Sequence, residues 1–149
     1  MLINKNLIVP DMDVEDKSEA IKRLITLIKT ENKISSEEEF YKCVLNREGE
    51  FSTGVGNGIA IPHGKSDTVN EAIVAFAKLN KKIDWSSIDN ELVDLIFLLG
   101  VPEKNTENLH LKILAQLSRK LMDEDFVKKL RGAQTKQEIY NTLSEIEVG

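Results

Sequence analysis

The sequence feature that most constrains the fold is the apolar run from Leu92 to Val101, which is interrupted by Asp94. A run of this length is far too short to span a bilayer. Its residues from Leu92 to Leu99 are apolar on both faces of an extended chain, which is typical of a central strand covered by helices on each side. Two further strands are predicted over 72–79 and 59–61, and Pro62 ends the second of these.

Helical patterns precede these strands. Between about residues 15 and 30, apolar side chains recur at spacings of three and four and share one face. These residues are Ala20, Ile21, Leu24, Ile25 and Ile28. Asp13 is the candidate N-cap of this helix. Two overlapping capping boxes, which begin at Ser35 and Ser36, predict a second helix over about 36–46. The residues of that helix expected to face the core are Phe40, Cys43 and Val44.

Three more helices are predicted after the strands, over about 106–122, 126–131 and 135–145. The last begins with the capping box from Thr135 to Glu138. Helices, then strands, then helices predict an α/β fold, a three-layer sandwich in which helices flank a small mixed β-sheet. The chain has 149 residues and no repeat or low-complexity linker, so we expect one domain over 1–149.

Charge and cysteine content narrow the function. A net charge of −5 does not favour nucleic-acid binding, which needs clustered positive charge. We interpret the one local basic cluster as a solvated helix face, formed by Arg119, Lys120, Lys128, Lys129 and Arg131. The single cysteine, Cys43, excludes an internal disulfide and fits a reducing compartment. The N-terminus lacks the apolar core of a signal peptide, so we expect a cytoplasmic protein that does not insert into a membrane.

His63 is the first candidate for chemistry. It directly follows the strand at 59–61, at the kind of strand end where sheet proteins often place binding groups. Pro62 fixes one backbone angle before it, and Gly64 allows an immediate turn after it. This context would hold an imidazole rigidly with one face open. A turn histidine without a role remains the alternative interpretation.

The segment before that strand is rich in glycine. Residues 49–64 contain five glycines and one proline, too many for a helix interior. The amides and hydroxyls of this loop are candidates for an anion cradle, at Ser52, Thr53, Gly54 and Gly56. The spacing matches neither a P-loop nor a dinucleotide fingerprint. A plain glycine-rich turn between helix and strand is the competing interpretation.

His110 begins an apolar stripe on the helix predicted over 106–122. The other members of the stripe are Ile113, Leu114, Leu117 and Leu121. His110 therefore points inwards near the start of the helix, and a site shared with His63 is geometrically possible. A buried histidine bonded to backbone is the alternative. Two histidines and one distant cysteine do not have zinc-site spacing, and we expect no metal or cofactor.

The residues 48–64, EGEFSTGVGNGIAIPHG, resemble a known phosphorylation-site signature. It belongs to the enzyme IIA component of the fructose/mannitol class of the bacterial phosphotransferase system. The signature has an acidic or amide residue, six free positions, an apolar residue and Gly, and it ends in apolar-Ala-apolar-Pro-His-Gly. Every element is present. The resemblance continues at 66–67, 88–90, 95–102 and 110–124, and so covers nearly the whole chain beyond its first ten residues.

This resemblance implies an enzyme, a cytoplasmic phosphocarrier with an α/β sandwich fold. His63 would accept a phosphoryl group on its Nε2 atom from the phosphohistidine of HPr. It would then donate the group to an enzyme IIB, which works with a membrane component, IIC, on separate chains. Arg47 matches the active-site arginine of the family and His110 its second histidine. Ser52 and Thr53 match the neighbouring loop.

Two alternatives stay open beside sugar transport. A nitrogen-related regulatory branch shares the fold and the phosphohistidine but acts by binding targets according to phosphorylation state. The segment HLKILAQLSRKLMD, which begins at His110, resembles the fructose-type carriers more closely. The other alternative is a binding module in which His63 and the glycine loop hold an anion without phosphoryl chemistry.

Overall fold

The computed structural model describes residues 3–104 and 108–146, with the side chains of Leu109 and His110 outside the described part. Its first half contains the strand β1 (Ile3–Met12), the helices α1 (Lys17–Thr30) and α2 (Glu37–Glu50), and the short strands β2 (Gly54–Gly56), β3 (Ile59–Ala60) and β4 (His63–Ser66). The second half contains the long strands β5 (Ile73–Ile83) and β6 (Val93–Pro102), followed by the helices α3 (Leu109–Leu121), α4 (Glu124–Gly132) and α5 (Lys136–Leu143).

The six strands form one mixed sheet in the order β1-β5-β6-β3-β2, and β4 also pairs with β6. β1 runs parallel to β5, and both β3 and β4 run parallel to β6. The pairs β5–β6 and β2–β3 are antiparallel. The predicted small mixed sheet is therefore confirmed, and β6 is its central strand as the apolar run indicated.

Helices cover both faces of this sheet. One core cluster joins the apolar side of α1 and α2 to alternate residues of the central strands, such as Ala75 and Leu98. A second joins α3, α4 and α5 to the opposite face, where Phe76 and Phe97 meet edge to face with ring centroids 4.9 Å apart. The three-layer sandwich predicted from the order of elements is confirmed. Among the described residues, no helix is long and apolar enough to cross a membrane.

Several helix predictions need adjustment. Asp16, not Asp13, is the N-cap of α1, because its carboxylate accepts the backbone N–H of Glu19. Ser36 caps α2 as predicted, but the helix continues four residues beyond Asn46. The helix predicted from 106 begins at Leu109, and residues 105–107 lie outside the described part. Thr135 is confirmed as the N-cap of α5.

The strand β1 was not predicted from the sequence. Its burial does not alternate, and it contains Pro10, which cannot donate a ladder hydrogen bond. Both features fit an edge strand, where one side of the backbone needs no partner. The parallel pairing with β5 is also shifted in register at two places.

The observed contacts bear on two local predictions, the core-facing residues of α2 and the basic cluster. Phe40 and Val44 of α2 are fully buried, whereas Cys43 is half-buried and donates its thiol to the carbonyl of Lys65 at 3.2 Å. Burial raises the pKa of the Cys43 thiol. In the predicted basic cluster, Arg131 is paired with Asp94. The Glu145 carboxylate forms ion pairs with both Lys120 and Lys129.

Candidate functional site

His63 is the first residue of β4, beside Leu99 of the central strand. It is partly exposed, between the buried residues Pro62 and Gly64. A Cβ at Gly64 would lie 3.0 Å from the side chains of both Phe40 and Val44, so a glycine allows α2 to approach β4 this closely. The backbone on both sides of His63 is therefore tightly packed while its ring reaches the surface.

A hydrogen bond to the backbone indicates the tautomer of the ring. Nδ1 of His63 lies 2.9 Å from the carbonyl oxygen of Ile61, two residues earlier. A carbonyl oxygen only accepts hydrogen bonds, so Nδ1 carries the proton. In the neutral ring the nucleophilic lone pair is then on Nε2.

The glycine-rich loop forms a hairpin beside this ring. Gly54 pairs with Ala60, and the carbonyl of Thr53 accepts the N–H of Ile61 at 2.9 Å. Gly56, also a predicted cradle residue, lies in the same hairpin at the end of β2 with φ +105°. The hairpin thus lies along the segment that leads into the candidate nucleophile.

The hydroxyls proposed as an anion cradle are bonded inside the protein. The Ser52 hydroxyl donates to the carbonyl of Trp85 at 2.7 Å and accepts the N–H of Gly54 at 3.1 Å. The Thr53 hydroxyl donates to the carboxylate of Glu48. These bonds give the two residues a structural role in the loop. Direct contact between them and a phosphoryl group stays a prediction.

The turn between β2 and β3 is held by charged side chains. Asn57 and Gly58 both have positive φ angles, 57° and 79°. Asp89 accepts the N–H of Asn57 at 2.9 Å, and this bond with that from the N–H of Glu91 holds the pKa of Asp89 below its ordinary value. On the other side, Arg131 donates to the carbonyl of Asn57 and forms a two-pronged pair with Asp94.

The structure places Arg47 next to the hairpin. It lies in the last turn of α2 and donates through Nη1 to the carbonyl of Phe51 at 2.9 Å. Arg47 is therefore held against the residue that ends α2 and leads into the hairpin, and its role beside His63 stays a prediction.

His110 lies in the first turn of α3, and its side chain falls outside the described part of the structure. The rest of the stripe is placed as expected: Ile113, Leu117 and Leu121 are buried in the core cluster and Leu114 packs against it. The direction of the apolar face of α3 is confirmed, and a site shared by His63 and His110 stays a prediction.

One buried group near the site had no assigned role in the sequence analysis. The carboxylate of Glu48, only 8% exposed, accepts bonds from Thr53, Trp85 and Lys17. Its sequence signal is its place as the acidic residue that opens the signature. Its partners Lys17 and Trp85 lie 31 and 37 positions away, so no local pattern indicates them.

Three large apolar side chains are exposed around the hairpin. Phe51 is 75% exposed, Val55 of β2 is 51% exposed and Ile88 is 82% exposed. Ile88 is joined to the hairpin through its backbone N–H, which donates to the carbonyl of Gly54 at 3.2 Å. We call these three residues the apolar rim. Across the described residues, no group of three potential ligands is placed to hold a metal ion.

Comparisons with known proteins agree on one relationship. The family model "Phosphoenolpyruvate-dependent sugar phosphotransferase system, EIIA 2" matches residues 1–146. A fructose-specific EIIA component of the same system from Haloferax volcanii is 40% identical over 130 residues, 87% of this chain and 84% of that protein.

Among solved structures, nitrogen regulatory protein IIA-Ntr from Neisseria meningitidis superposes with a TM-score of 0.88 at 30% identity, covering 95% of this chain and 96% of that one. Escherichia coli enzyme IIAMTL, solved in complex with phosphorylated enzyme IIBMTL, has a TM-score of 0.80 at 21% identity. That match covers 97% of this chain and 99% of the other.

Proposed function

Since the chain belongs to the EIIA 2 family of the phosphoenolpyruvate-dependent sugar phosphotransferase system, we propose that His63 carries the phosphoryl group. The chain is a phosphotransferase component of that system. The observation that carries the proposal is the bond from His63 Nδ1 to the carbonyl of Ile61. It leaves the lone pair on Nε2 of a partly exposed residue at the start of β4. Histidine is a nucleophile of this kind near neutral pH.

The transfer is a displacement at phosphorus. The Nε2 lone pair of His63 forms the new N–P bond, and the bond to the donor nitrogen breaks with its electron pair returning to the donor. The proton on Nδ1 stays in its bond to Ile61 throughout. Since little acid–base chemistry is needed, positioning and charge stabilisation dominate. We assign stabilisation of the phosphoryl oxygens to Arg47, whose planar guanidinium suits oxyanions, and to His110.

We propose phospho-HPr as the donor and an enzyme IIB as the acceptor, which feeds a membrane IIC component. The complex of the E. coli relative with phosphorylated IIB supports the second assignment. HPr must bring its phosphohistidine to His63, and IIB must bring an unphosphorylated acceptor side chain to the phosphorylated His63. We assign the apolar rim of the hairpin as the docking surface for both partners. Such encounters are transient and use small interfaces. We propose accordingly that the protein acts in the cytoplasm.

Regulation is the second candidate function, because IIA-Ntr from N. meningitidis superposes closely on this chain. In that case the phosphorylated and unphosphorylated forms would differ in target binding, and no IIB would accept the group. The fructose-specific relative from H. volcanii favours sugar transport. Transfer from the phosphorylated protein to a IIB of the fructose class separates the two functions.

The first experiment is phosphorylation by phosphoenolpyruvate, enzyme I and HPr, followed by intact mass before and after mild acid. We expect one acid-labile phosphoryl group in the wild type and none in His63→Ala, whose melting temperature should be close to that of the wild type. A known EIIA in the same tube controls for active donor proteins. If that control is phosphorylated and the wild-type chain is not, the phosphocarrier function is wrong and anion binding becomes the better account.

A further inference from the structure

The Glu48 carboxylate is buried and fully occupied by donors. Its Oε2 accepts the backbone N–H of Thr53 at 3.1 Å and the ammonium of Lys17 at 3.3 Å. Its Oε1 accepts the Thr53 hydroxyl and lies 3.4 Å from the indole nitrogen of Trp85, whose N–H also donates to the Thr53 hydroxyl oxygen at 3.1 Å. An ionised carboxylate has about four acceptor positions, and here it meets three donors and a share of a fourth, the indole N–H. A buried charge needs this degree of pairing to be tolerated.

Lys17 is placed to neutralise this charge. Besides Glu48, its ammonium donates to the carbonyl of Trp85 at 3.2 Å and lies 5.8 Å from the centroid of the indole ring. The same Trp85 carbonyl accepts the hydroxyl of Ser52. The first turn of α1, the end of α2 and the indole therefore close around residues 52 and 53 of the hairpin.

A short path of hydrogen bonds joins this network to the nucleophile. Glu48 holds both the N–H and the hydroxyl of Thr53, and the carbonyl of Thr53 accepts the N–H of Ile61. The carbonyl of Ile61 then accepts Nδ1–H of His63. The buried carboxylate therefore acts through Thr53 on the N–H of Ile61. The carbonyl of Ile61, in the next peptide unit, sets the tautomer of the imidazole.

We propose that Glu48, with Lys17 as its counter-ion, is a positioning residue that keeps the proton of His63 on Nδ1 and the nucleophilic lone pair on Nε2. The inference rests on the proposed function of His63 and adds a residue that touches neither the phosphoryl group nor the ring. It also gives a physical reason for an acidic residue at the opening position of the signature. The carboxylate fixes the loop that fixes the nucleophile.

Glu48→Gln tests this role with little change in volume. The amide has one acceptor oxygen and two donor hydrogens, so at least one of the donors from Thr53 and Lys17 loses its partner. Glu50→Gln is the matched control, since Glu50 is exposed, lies two residues further along α2 and makes the same change in charge. Side-chain 15N NMR of the unphosphorylated protein, at a pH where the ring is neutral, reports the tautomer of His63 directly.

We expect Nδ1–H in the wild type and in Glu50→Gln, and a mixture of the two tautomers in Glu48→Gln. The maximal rate of phosphoryl acceptance by Glu48→Gln should fall roughly 10- to 100-fold, with the KM for HPr little changed, because docking is intact while the nucleophile is misplaced. Lys17→Gln, at a partly exposed position, should move both readouts in the same direction by less. Lys17→Gln replaces Glu48→Gln as the test variant if the substitution at the buried Glu48 prevents folding.

Wild-type nitrogen shifts and rates in Glu48→Gln would overturn the inference, and so would the same result in Lys17→Gln if only that variant folds. The tautomer measurement needs no phosphorylation. A wild-type chain that accepts no phosphoryl group therefore contradicts the function of His63 while leaving the positioning role testable.

Discussion

The long strands at the centre of the sheet and the short strands beside them are built in different ways. β5 and β6 have 11 and 10 residues, and their paired segments are almost entirely buried. β2, β3 and β4 have only three, two and four residues. The centre is held by apolar packing on both faces, whereas the hairpin combines the buried residues of β3 with bonds from individual polar side chains, Glu48, Asp89 and Arg131.

The difference separates stability from site geometry. Apolar burial is non-directional and contributes about 25 cal/mol per Å², so the centre stabilises the fold as a whole. A hydrogen bond contributes only about 0.5–1.5 kcal/mol net but fixes direction. The short strands can therefore hold His63 accurately although they bury fewer apolar side chains than the long strands do. Substitutions in the two regions should affect different measurements.

The largest effect on stability is expected at the centre. Phe76 is fully buried and packs edge to face on Phe97. Phe76→Ala should lower the free energy of unfolding by about 3–5 kcal/mol, measured by urea denaturation, because it removes the ring and leaves a cavity. The folded fraction should still accept phosphoryl at a near-normal rate, since β5 does not pair with the strand of His63.

Phe76→Leu is the milder companion and should cost about 1 kcal/mol. It keeps the test available if the alanine variant does not fold. A large loss of phosphoryl acceptance per folded molecule in Phe76→Leu would show that the two regions are not separable.

A smaller effect is expected at the hairpin turn. Gly58 has φ +79°, and a Cβ there would lie 2.6 Å from Nη2 of Arg131 and 2.8 Å from Oδ1 of Asp94. Gly58→Ala should therefore cost about 1–3 kcal/mol of unfolding free energy through backbone strain and displacement of the Arg131 pair. Phosphoryl acceptance should fall as well, because the displaced turn belongs to the hairpin beside His63.

Gly49→Ala is the control and should act in the opposite direction. Gly49 lies inside α2, and a Cβ there would meet nothing within 4 Å. Alanine in a helix is favoured by roughly 0.5–1 kcal/mol over glycine, so this variant should be slightly stabilised. Equal destabilisation of the two variants by urea denaturation would refute the strain at Gly58.

The sequence predicts the elements of this fold better than its edges. Apolar periodicity and the caps at Ser36 and Thr135 indicate local structure, and the run at 92–99 identifies the central strand. β1 was missed because an edge strand with Pro10 lacks both alternation and a continuous apolar run. The sequence could have indicated the correct N-cap, because Asp16 is followed three residues later by Glu19. In the structure the backbone N–H of Glu19 donates to the Asp16 carboxylate.

The candidate site also has a part that the sequence predicts and a part that it does not. His63 and the hairpin are contiguous in sequence, so a local pattern indicates them together. The network around Glu48 joins residues from α1, the end of α2 and the segment after β5, and only the folded chain brings them together. The hydroxyls of Ser52 and Thr53 show the same limit, because composition indicated donors but not the internal acceptors that they use.

The smallest effect on stability is expected for substitutions in the apolar rim. These substitutions test most directly whether stability and site function are separable. Ile88 is 82% exposed, and its fixed contact with the hairpin is made by its backbone, so Ile88→Ser should change the free energy of unfolding by less than about 0.5 kcal/mol. If the rim receives the phosphoryl donor, the concentration of phospho-HPr needed for half-maximal acceptance should rise about tenfold, as for a truncated interface anchor. The maximal rate should stay near that of the wild type, because His63 and its bond to Ile61 are untouched.

Met122→Ser is the matched control. Met122 is equally exposed but caps the C-terminal end of α3, at the opposite end of that helix from His110. Its loss should leave both kinetic constants unchanged. If serine at 88 and at 122 weakened acceptance equally, the effect would reflect general surface hydrophobicity, and docking at the hairpin would be wrong. A selective effect at 88 would instead show that the nucleophile and the surface that its partner recognises both lie around the hairpin, outside the long central strands.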